Sequence, residues 1–443
     1  MSHHALYAAH IRHRRDRLDH LLNETGFDVL FIHSGRVGYP KFDDRALPFR
    51  AHGHFSAWLP LPFAPDCLLE CHAGQRPILW YLQADDFWHL PPAEPERWWA
   101  DEFDVRIVKD PSDWVARINR VEATAAIGDE AHLAGLGEHM AINPPRLMQA
   151  LDEDRTQKTA YECALIFEAN RKAARGHQRA REAFVAGHSE LDIFQAYIQG
   201  VNDDPATLPY DGIVALNEHA ATLHYQHRQT DRPDQARSFL LDAGADQLGY
   251  ASDITRTHAA TTASHAGGVF QGLIDAMDHL QRRLCQGAQV GHSFVDLHHQ
   301  AHRGIAEILM QSGLATGSAE ALVDQGITRT FFPHGLGHFL GAQVHDVAGL
   351  VAPDGTPAPA PATDPMLRLT RVLAPGHVVT IEPGLYFIPM LLADLKQTPQ
   401  GASMDWALVE ALTPFGGIRV EDNIHITDAG PVNFTREAFD ALN

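Results

Sequence analysis

Cysteine is scarce, excess positive charge is absent, and no apolar run is long enough to cross a bilayer. The 443 residues hold only 4 cysteines, and Cys67 with Cys71 lacks the second pair that a zinc knuckle requires. A disulfide scaffold is excluded, and buried thiols in a reducing compartment are expected. Lys and Arg number 35 against 56 Asp and Glu, a formal charge of −21. Nucleic acid and anionic membrane are excluded as partners, because phosphate binding needs clustered cations. The longest apolar stretches fall well short of the roughly 20 residues that span a bilayer. From His10 to Asn23 the chain is His- and Arg-rich and helix-like, unlike a basic stub before an apolar core, so no signal peptide is expected. A cytoplasmic enzyme acting on small molecules fits these exclusions.

What is present suffices for sizeable cores: 45% of residues are hydrophobic, and the length suggests two or three domains. Runs at Phe27–His33, Cys67–Cys71, Pro77–Leu82 and Val105–Val108 read as strands between helical or Pro-rich stretches. They predict an α/β domain with a mixed sheet over 1–155. A charged run, Asp152 to Lys158, marks the boundary with a catalytic domain over 156–443, in which helices are expected at 159–186, 189–201 and 266–286. The Ala/Pro-rich tract Ala352–Pro365 reads as an inserted structural loop. His298 and His299, in a helix-like stretch, read as ordinary surface or core histidines, since most of the 29 histidines must be.

The chemistry concentrates in the second part. Leu240 to Arg256 reads as a β-hairpin centred between Gln247 and Leu248, which would set Asp242 opposite Asp253 with Cβ atoms about 5 Å apart. Carboxylates that close cannot both ionise without a cation between them. Glu382 ends the apolar run Val378–Ile381 at a Pro-Gly turn. In Gly417 to Ile426, alternation sends Ile418, Val420, Ile424 and Ile426 to one face and Arg419, Glu421, Asn423 and His425 to the other. Phe332-Pro333-His334-Gly335-Leu336-Gly337-His338 is too Gly-rich for a helix and supplies an imidazole where backbone must approach something closely. Four carboxylates (Asp242, Asp253, Glu382, Glu421) carry too much charge for one buried divalent ion and match two. The ligand set favours Mn²⁺ or Co²⁺ over a thiolate-type zinc, and paired metals activate water for attack on carbonyl or phosphoryl centres.

In this order, Asp-x10-Asp, His-Gly-Leu-Gly-His followed by Val-His-Asp, Ile-Glu-Pro-Gly and Arg-Val-Glu-Asp-Asn, the residues resemble the metallopeptidases of the pita-bread fold, which include methionine aminopeptidase, aminopeptidase P and prolidase. Segments at Pro209-Tyr210, Asn217 to Tyr225, Leu367 to Arg371 and Pro414 to Arg419 look most like bacterial prolidases, the Xaa-Pro dipeptidases. The resemblance implies a curved antiparallel sheet flanked by helices and a centre holding two Mn²⁺, with Co²⁺ or Zn²⁺ as substitutes.

It also implies roles. Asp242 would bind one metal, Asp253 and Glu421 would bridge both, and His338 and Glu382 would complete the second. Glu382 would relay the proton of a metal-bridging hydroxide, while His224 and His345 would steady the carbonyl and the tetrahedral intermediate. Arg368 would receive the carboxylate of a dipeptide, Arg419 would back the bridging Glu, and Tyr210 would lie on the substrate side. Homodimerisation is implied too, with Trp88 reaching the partner's site. Rival readings are an aminopeptidase P acting on longer peptides, organophosphate hydrolysis as a side activity, and a binding scaffold without catalysis.

Overall fold

Short apolar runs bounded by turn residues build a mixed sheet in the first third of the chain. The computed structural model describes residues 3–90, 92–118, 124–133, 140–260 and 264–442. The chain separates into two units, Met1–Leu165 with Gln247–Tyr250, and Ile166–Asp246 with Ala251–Asn443.

In the first unit β1 (Val29–His33), β2 (Leu68–His72), β3 (Ile78–Leu82), β4 (Asp104–Val108), β5 (Thr124–Ile127) and β6 (Ala141–Ile142) form one sheet in the order β4-β3-β2-β1-β5-β6. β1 to β3 pair antiparallel and the outer strands pair parallel. All five residues of β1 are buried, as its apolar run Val29–Ile32 requires. β5 and β6 were not expected, because Thr-Ala-Ala-Ile and Ala-Ile are short and half alanine. β5 exists through its parallel register on β1, Val29 to Thr124 through Ile32 to Ile127, an example of tertiary pairing overriding local preference.

A buried charge network sits in this unit. The helix Ala160–Val185 opens with a capping box: the Thr159 backbone N–H donates to Glu162 Oε2 at 2.8 Å, and the Glu162 N–H donates to Thr159 Oγ1 at 3.4 Å. Glu162 Oε1 also accepts from Arg14 Nη2 at 2.7 Å and from the Tyr250 hydroxyl at 2.9 Å. Burial opposes ionisation of Glu162, but Arg14, His10, the Thr159 N–H and the Tyr250 hydroxyl together outweigh it and hold the carboxyl down at about 2.

The second unit is built from short antiparallel pieces. β8 (Ser238–Asp242) lies between β7 (Ile213–Leu216) and β11 (Thr255–Ala259). The connection from β8 to β11 carries the two-residue strands β9 (Asp246–Gln247) and β10 (Tyr250–Ala251). Further on, β15 (Asp422–Thr427) lies between β12 (Val378–Ile381) and β16 (Gly430–Asn433), and β13 (Gly384–Tyr386) pairs with β14 (Gly417–Arg419). The expected single strand from Gly417 to Ile426 is therefore interrupted at Val420-Glu421, and its halves pair with different partners. The alternation survives the break: Ile418, Val420, Ile424 and Ile426 are all in the core.

Helices at His265–Gly287 and Phe294–Gln311 cover this core. Ser264 and Ser293 cap them, accepting from the backbone N–H of Gly267 and Asp296. Phe270, Met277, Leu280 and Leu284 recur at helical spacing, and all are buried in this core. Burying each contributes about 1.5–3 kcal/mol. The helices approach closely at Gly304, where an added Cβ would lie 2.3 Å from Leu280 Cδ1.

The Glu162 network makes a prediction about acid stability. An unfolded Glu titrates near 4.5 and the folded one near 2, so the stabilisation is complete above about 4.5 and disappears as pH falls towards 2. Glu162→Gln should cost on the order of 3 kcal/mol at neutral pH, read from urea unfolding, with a gap to wild type that narrows below pH 5. A gap independent of pH would mean that the carboxylate contributes shape and not charge.

Candidate metal centre

The hairpin after β8 sets the first two carboxylates, in a register different from the one expected. Asp242 lies opposite Thr255 rather than Asp253, and Ser252 N–H donates to Ala245 O. Leu248 and Gly249 both have positive φ, 52° and 93°. They form the two-residue turn that matches strand twist, which moves the hairpin centre one residue from Gln247/Leu248. Asp253 is thus a diagonal neighbour of Asp242, two residues from Thr255 and on the same face. The Tyr210 hydroxyl lies 2.8 Å from Asp242 Oδ1 and 2.6 Å from Asp253 Oδ1, so one donor bridges both carboxylates.

The Gly-rich segment runs beside β12. His338 N–H donates to Thr380 Oγ1 at 3.0 Å and Thr380 N–H donates back to His338 O at 2.9 Å. Glycine is obligatory at 337, where an added Cβ would lie 2.1 Å from Thr380 O. The imidazole Nδ1 of His338 can only donate to its 2.8 Å neighbour, the Phe339 carbonyl. That leaves Nε2 facing Asp253 Oδ2 at 3.4 Å and Glu382 Oε1 at 3.9 Å.

Glu421 is held by the β11 edge: its N–H donates to Thr255 O, and its Oε2 accepts from the Thr255 hydroxyl at 2.7 Å. Arg419, buried, donates Nη2 to Asp242 Oδ2 at 2.6 Å, Nε to Thr255 Oγ1 at 3.1 Å and Nη1 to the Tyr386 hydroxyl at 2.8 Å. Its charge is the only guanidinium bonded to the carboxylates of this cavity among the described residues, and it does not balance them. Burial pushes Glu382 up to about 7. Burial and the neighbouring Asp253 push Glu421 well above the carboxylate range, and burial raises Asp242 as well. Asp253 alone stays low: burial opposes its ionisation, but the His338 imidazole outweighs it. Ligand atoms of Asp253, His338 and Glu421 lie within 4.8 Å of one another. Carboxylates forced towards protonation around a common space, with an imidazole lone pair turned in, are the donor set of a hard or borderline dication.

All five expected ligands, Asp242, Asp253, His338, Glu382 and Glu421, line one open cavity of about 180 Å³. His224, His345, Arg368 and Arg419 line it too. The His345 ring meets that of His338 edge-on with centroids 4.3 Å apart. Arg368 is exposed, and its guanidinium has no hydrogen-bond or ion-pair partner among the described residues. Tyr210 is not in the lining; its hydroxyl is occupied by the two aspartates. Trp88, in the first unit, is 76% exposed. His334 also lies in the lining, with Nε2 2.9 Å from the Tyr386 hydroxyl. Sequence reasoning missed Tyr386, Thr255 and Asn423. The last grips the Asp253 backbone, accepting from its N–H at 3.0 Å and donating Nδ2 to its carbonyl at 2.6 Å. Only the neighbourhood of Thr255 and Asn423 to ligands hinted at them, and Tyr386 carried no signal.

Known proteins are similar to this chain along nearly its whole length. A profile of the N-terminal domain of Xaa-Pro dipeptidases matches residues 5–152, and one of metallopeptidase family M24 matches residues 164–428. The chain is 45% identical over 438 residues to an Xaa-Pro dipeptidase of Xanthomonas axonopodis pv. citri, covering 99% of this chain and 98% of that one. An Xaa-Pro dipeptidase of Stenotrophomonas maltophilia is 42% identical over 440 residues, with 99% and 98% covered. In fold the chain is similar to aminopeptidase P from Escherichia coli with the inhibitor Pro-Leu, at a TM-score of 0.75 and 22% identity over 97% of this chain and 95% of that one. The architecture of short antiparallel pieces under helices is the pita-bread fold.

The bridging hydroxyl generates a test. Tyr210→Phe keeps the ring and removes the donor that orients both aspartates, so Mn²⁺ affinity should fall roughly 10- to 100-fold with an unchanged circular dichroism spectrum. Calorimetry finding wild-type affinity would show that the aspartates are positioned without Tyr210.

Proposed function

The chain belongs to metallopeptidase family M24, and on that premise we propose that it is an Xaa-Pro dipeptidase, a cytoplasmic homodimer whose catalytic domain spans 156–443. Asp242, Asp253, His338, Glu382 and Glu421 would hold two Mn²⁺, replaceable by Co²⁺ or Zn²⁺. When bound, such ions would acidify a water and polarise the scissile carbonyl.

The protein's own groups account for the remaining chemistry. Glu382, facing the cavity, can take a proton from the attacking water and return it to the leaving imino nitrogen. His345 and His224, facing the same cavity, would donate to the carbonyl oxygen as negative charge develops there. The scissile bond precedes proline, a tertiary amide without an N–H, so recognition cannot rely on a backbone donor at that residue and falls to the substrate's termini.

The observation that carries the dipeptidase reading is the contrast between two arginines. Arg419 is bonded to Asp242, Tyr386 and Thr255, whereas Arg368 offers an unoccupied guanidinium to the cavity. A planar fork beside the centre suits a carboxylate one residue beyond the cleaved bond. That selects dipeptides over the longer peptides an aminopeptidase would take. Trp88, exposed in Phe87-Trp88, is the group proposed to reach the partner's site in the dimer.

Two outcomes test this reading. Arg368→Ala should raise KM for Xaa-Pro roughly 10- to 150-fold, as loss of a charged hydrogen-bonded contact of about 1.5–3 kcal/mol requires, and should affect Xaa-Pro-amide cleavage much less. Equal losses on both substrates would mean that the carboxylate is read elsewhere. In Glu382→Gln, kcat should fall at least about 100-fold; near-normal turnover would remove Glu382 from proton transfer.

A further inference from the structure

A second cluster of ligand-type side chains lies outside the catalytic cavity. His298 and His302, one turn apart on the helix Phe294–Gln311, and Asp364, from the Ala/Pro-rich tract, are all buried. Their Nε2 atoms are 3.2 Å apart. Asp364 Oδ1 lies 3.5 Å from His298 Nε2 and 3.8 Å from His302 Nε2. One proton can bridge the two nitrogens, but the carboxylate contacts are too long for hydrogen bonds. All three separations are close to the edge of a tetrahedron with metal–ligand bonds of about 2.0–2.1 Å, which is about 3.3 Å.

We propose that His298, His302 and Asp364 form a separate metal site, selective for zinc-like borderline ions, that clamps the inserted Ala352–Pro365 loop to the helix. Two imidazoles and one carboxylate are a softer set than the carboxylate-rich catalytic centre, and they favour Zn²⁺ over Mn²⁺. His302 Nδ1 lies 3.0 Å from the Thr328 hydroxyl, the outer hydrogen bond that fixes a ligating imidazole. His298 Nδ1 is buried without a hydrogen-bond partner among the described residues, so the helix tolerates a polar cost here that a hydrophobic residue would avoid. A cavity of about 170 Å³ bordered by these three residues supplies the entry path. His299 Nε2, half-exposed, lies 3.4 Å from Asp364 Oδ2, the carboxylate oxygen turned away from the pair, and stands outside the cluster of three. Asp364 also accepts from Arg329 Nε at 2.8 Å and from the Thr363 hydroxyl at 2.8 Å. The Arg329 contact keeps the carboxylate ionised, and its charge makes the site weaker than a closed structural zinc.

The test counts ions in the full-length protein. Stripped wild type, His298→Gln and His302→Gln are each equilibrated with micromolar Zn²⁺, and bound metal is measured by mass spectrometry. Wild type should hold one more Zn²⁺ per chain than either variant, and Zn²⁺ should raise its Tm more. Mn²⁺-loaded kcat/KM should be unchanged, because neither histidine belongs to the catalytic machinery. The readout is a difference between variants, so it stands whatever the number of catalytic ions. Equal zinc content in all three proteins would overturn the proposal and leave a hydrogen-bonded histidine pair. If the variants fail to fold, anomalous scattering at the zinc edge decides on wild-type crystals. A peak within bonding distance of both Nε2 atoms supports the site, and none refutes it.

Discussion

Carboxylates that crowd one cavity need cations, and the second unit is arranged around that requirement. Asp242, Asp253, Glu382 and Glu421 come from three separate stretches of chain, and one buried guanidinium, Arg419, bonds directly to one of them. Left to burial alone, Glu382, Glu421 and Asp242 are all driven towards their protonated forms. The strands supply geometry and apolar walls; the remaining charge balance has to come from divalent ions. This is why the ligands occur at strand ends and breaks. A strand interior turns alternate side chains away, whereas the turn at Glu382-Pro383 and the interruption at Val420-Glu421 aim carboxylates inward while Ile381 and Ile418 stay in the core.

Precision in such a centre is a matter of the groups behind the ligands. Tyr210 ties Asp242 to Asp253, Thr255 ties Glu421 to β11, Asn423 grips the Asp253 backbone, and Tyr386 links Arg419 to His334. Each is a neutral donor or acceptor that orients a charged neighbour without adding charge of its own, so the electrostatic demand for metal is undiminished. Arg419, fully engaged in that scaffold, is not available to bind a substrate terminus, which is what gives Arg368 its distinct chemical meaning.

Much of this was legible in sequence because the ligands sit in strong local contexts: a hairpin, a Gly-rich approach that admits no Cβ at Gly337, a Pro-Gly turn and a strand with clean alternation. The register of the hairpin was not legible, since a leucine at positive φ in the turn, Leu248, runs against residue preference. β5 was not either, because its partner β1 lies 95 residues earlier (Val29 against Thr124), far beyond what local propensity reports. Tyr386 and Thr255 act on residues far away in the chain and carry no motif. His298 and His302 look like any histidines on an amphipathic helix until Asp364, from a loop that reads as filler, is placed beside them.

The most direct test of the central claim is the number of protons released when Mn²⁺ binds. Calorimetric titrations of stripped protein at pH 7, in buffers of different ionisation heats, measure it. If crowding holds Glu382, Glu421 and Asp242 towards protonation before any dication arrives, binding must displace those protons, and the account predicts net release of at least about one per chain. Binding with no proton release would mean that the carboxylates are already ionised and balanced by the protein itself, which contradicts the claim that the fold is organised around a charge deficit that only metal fills.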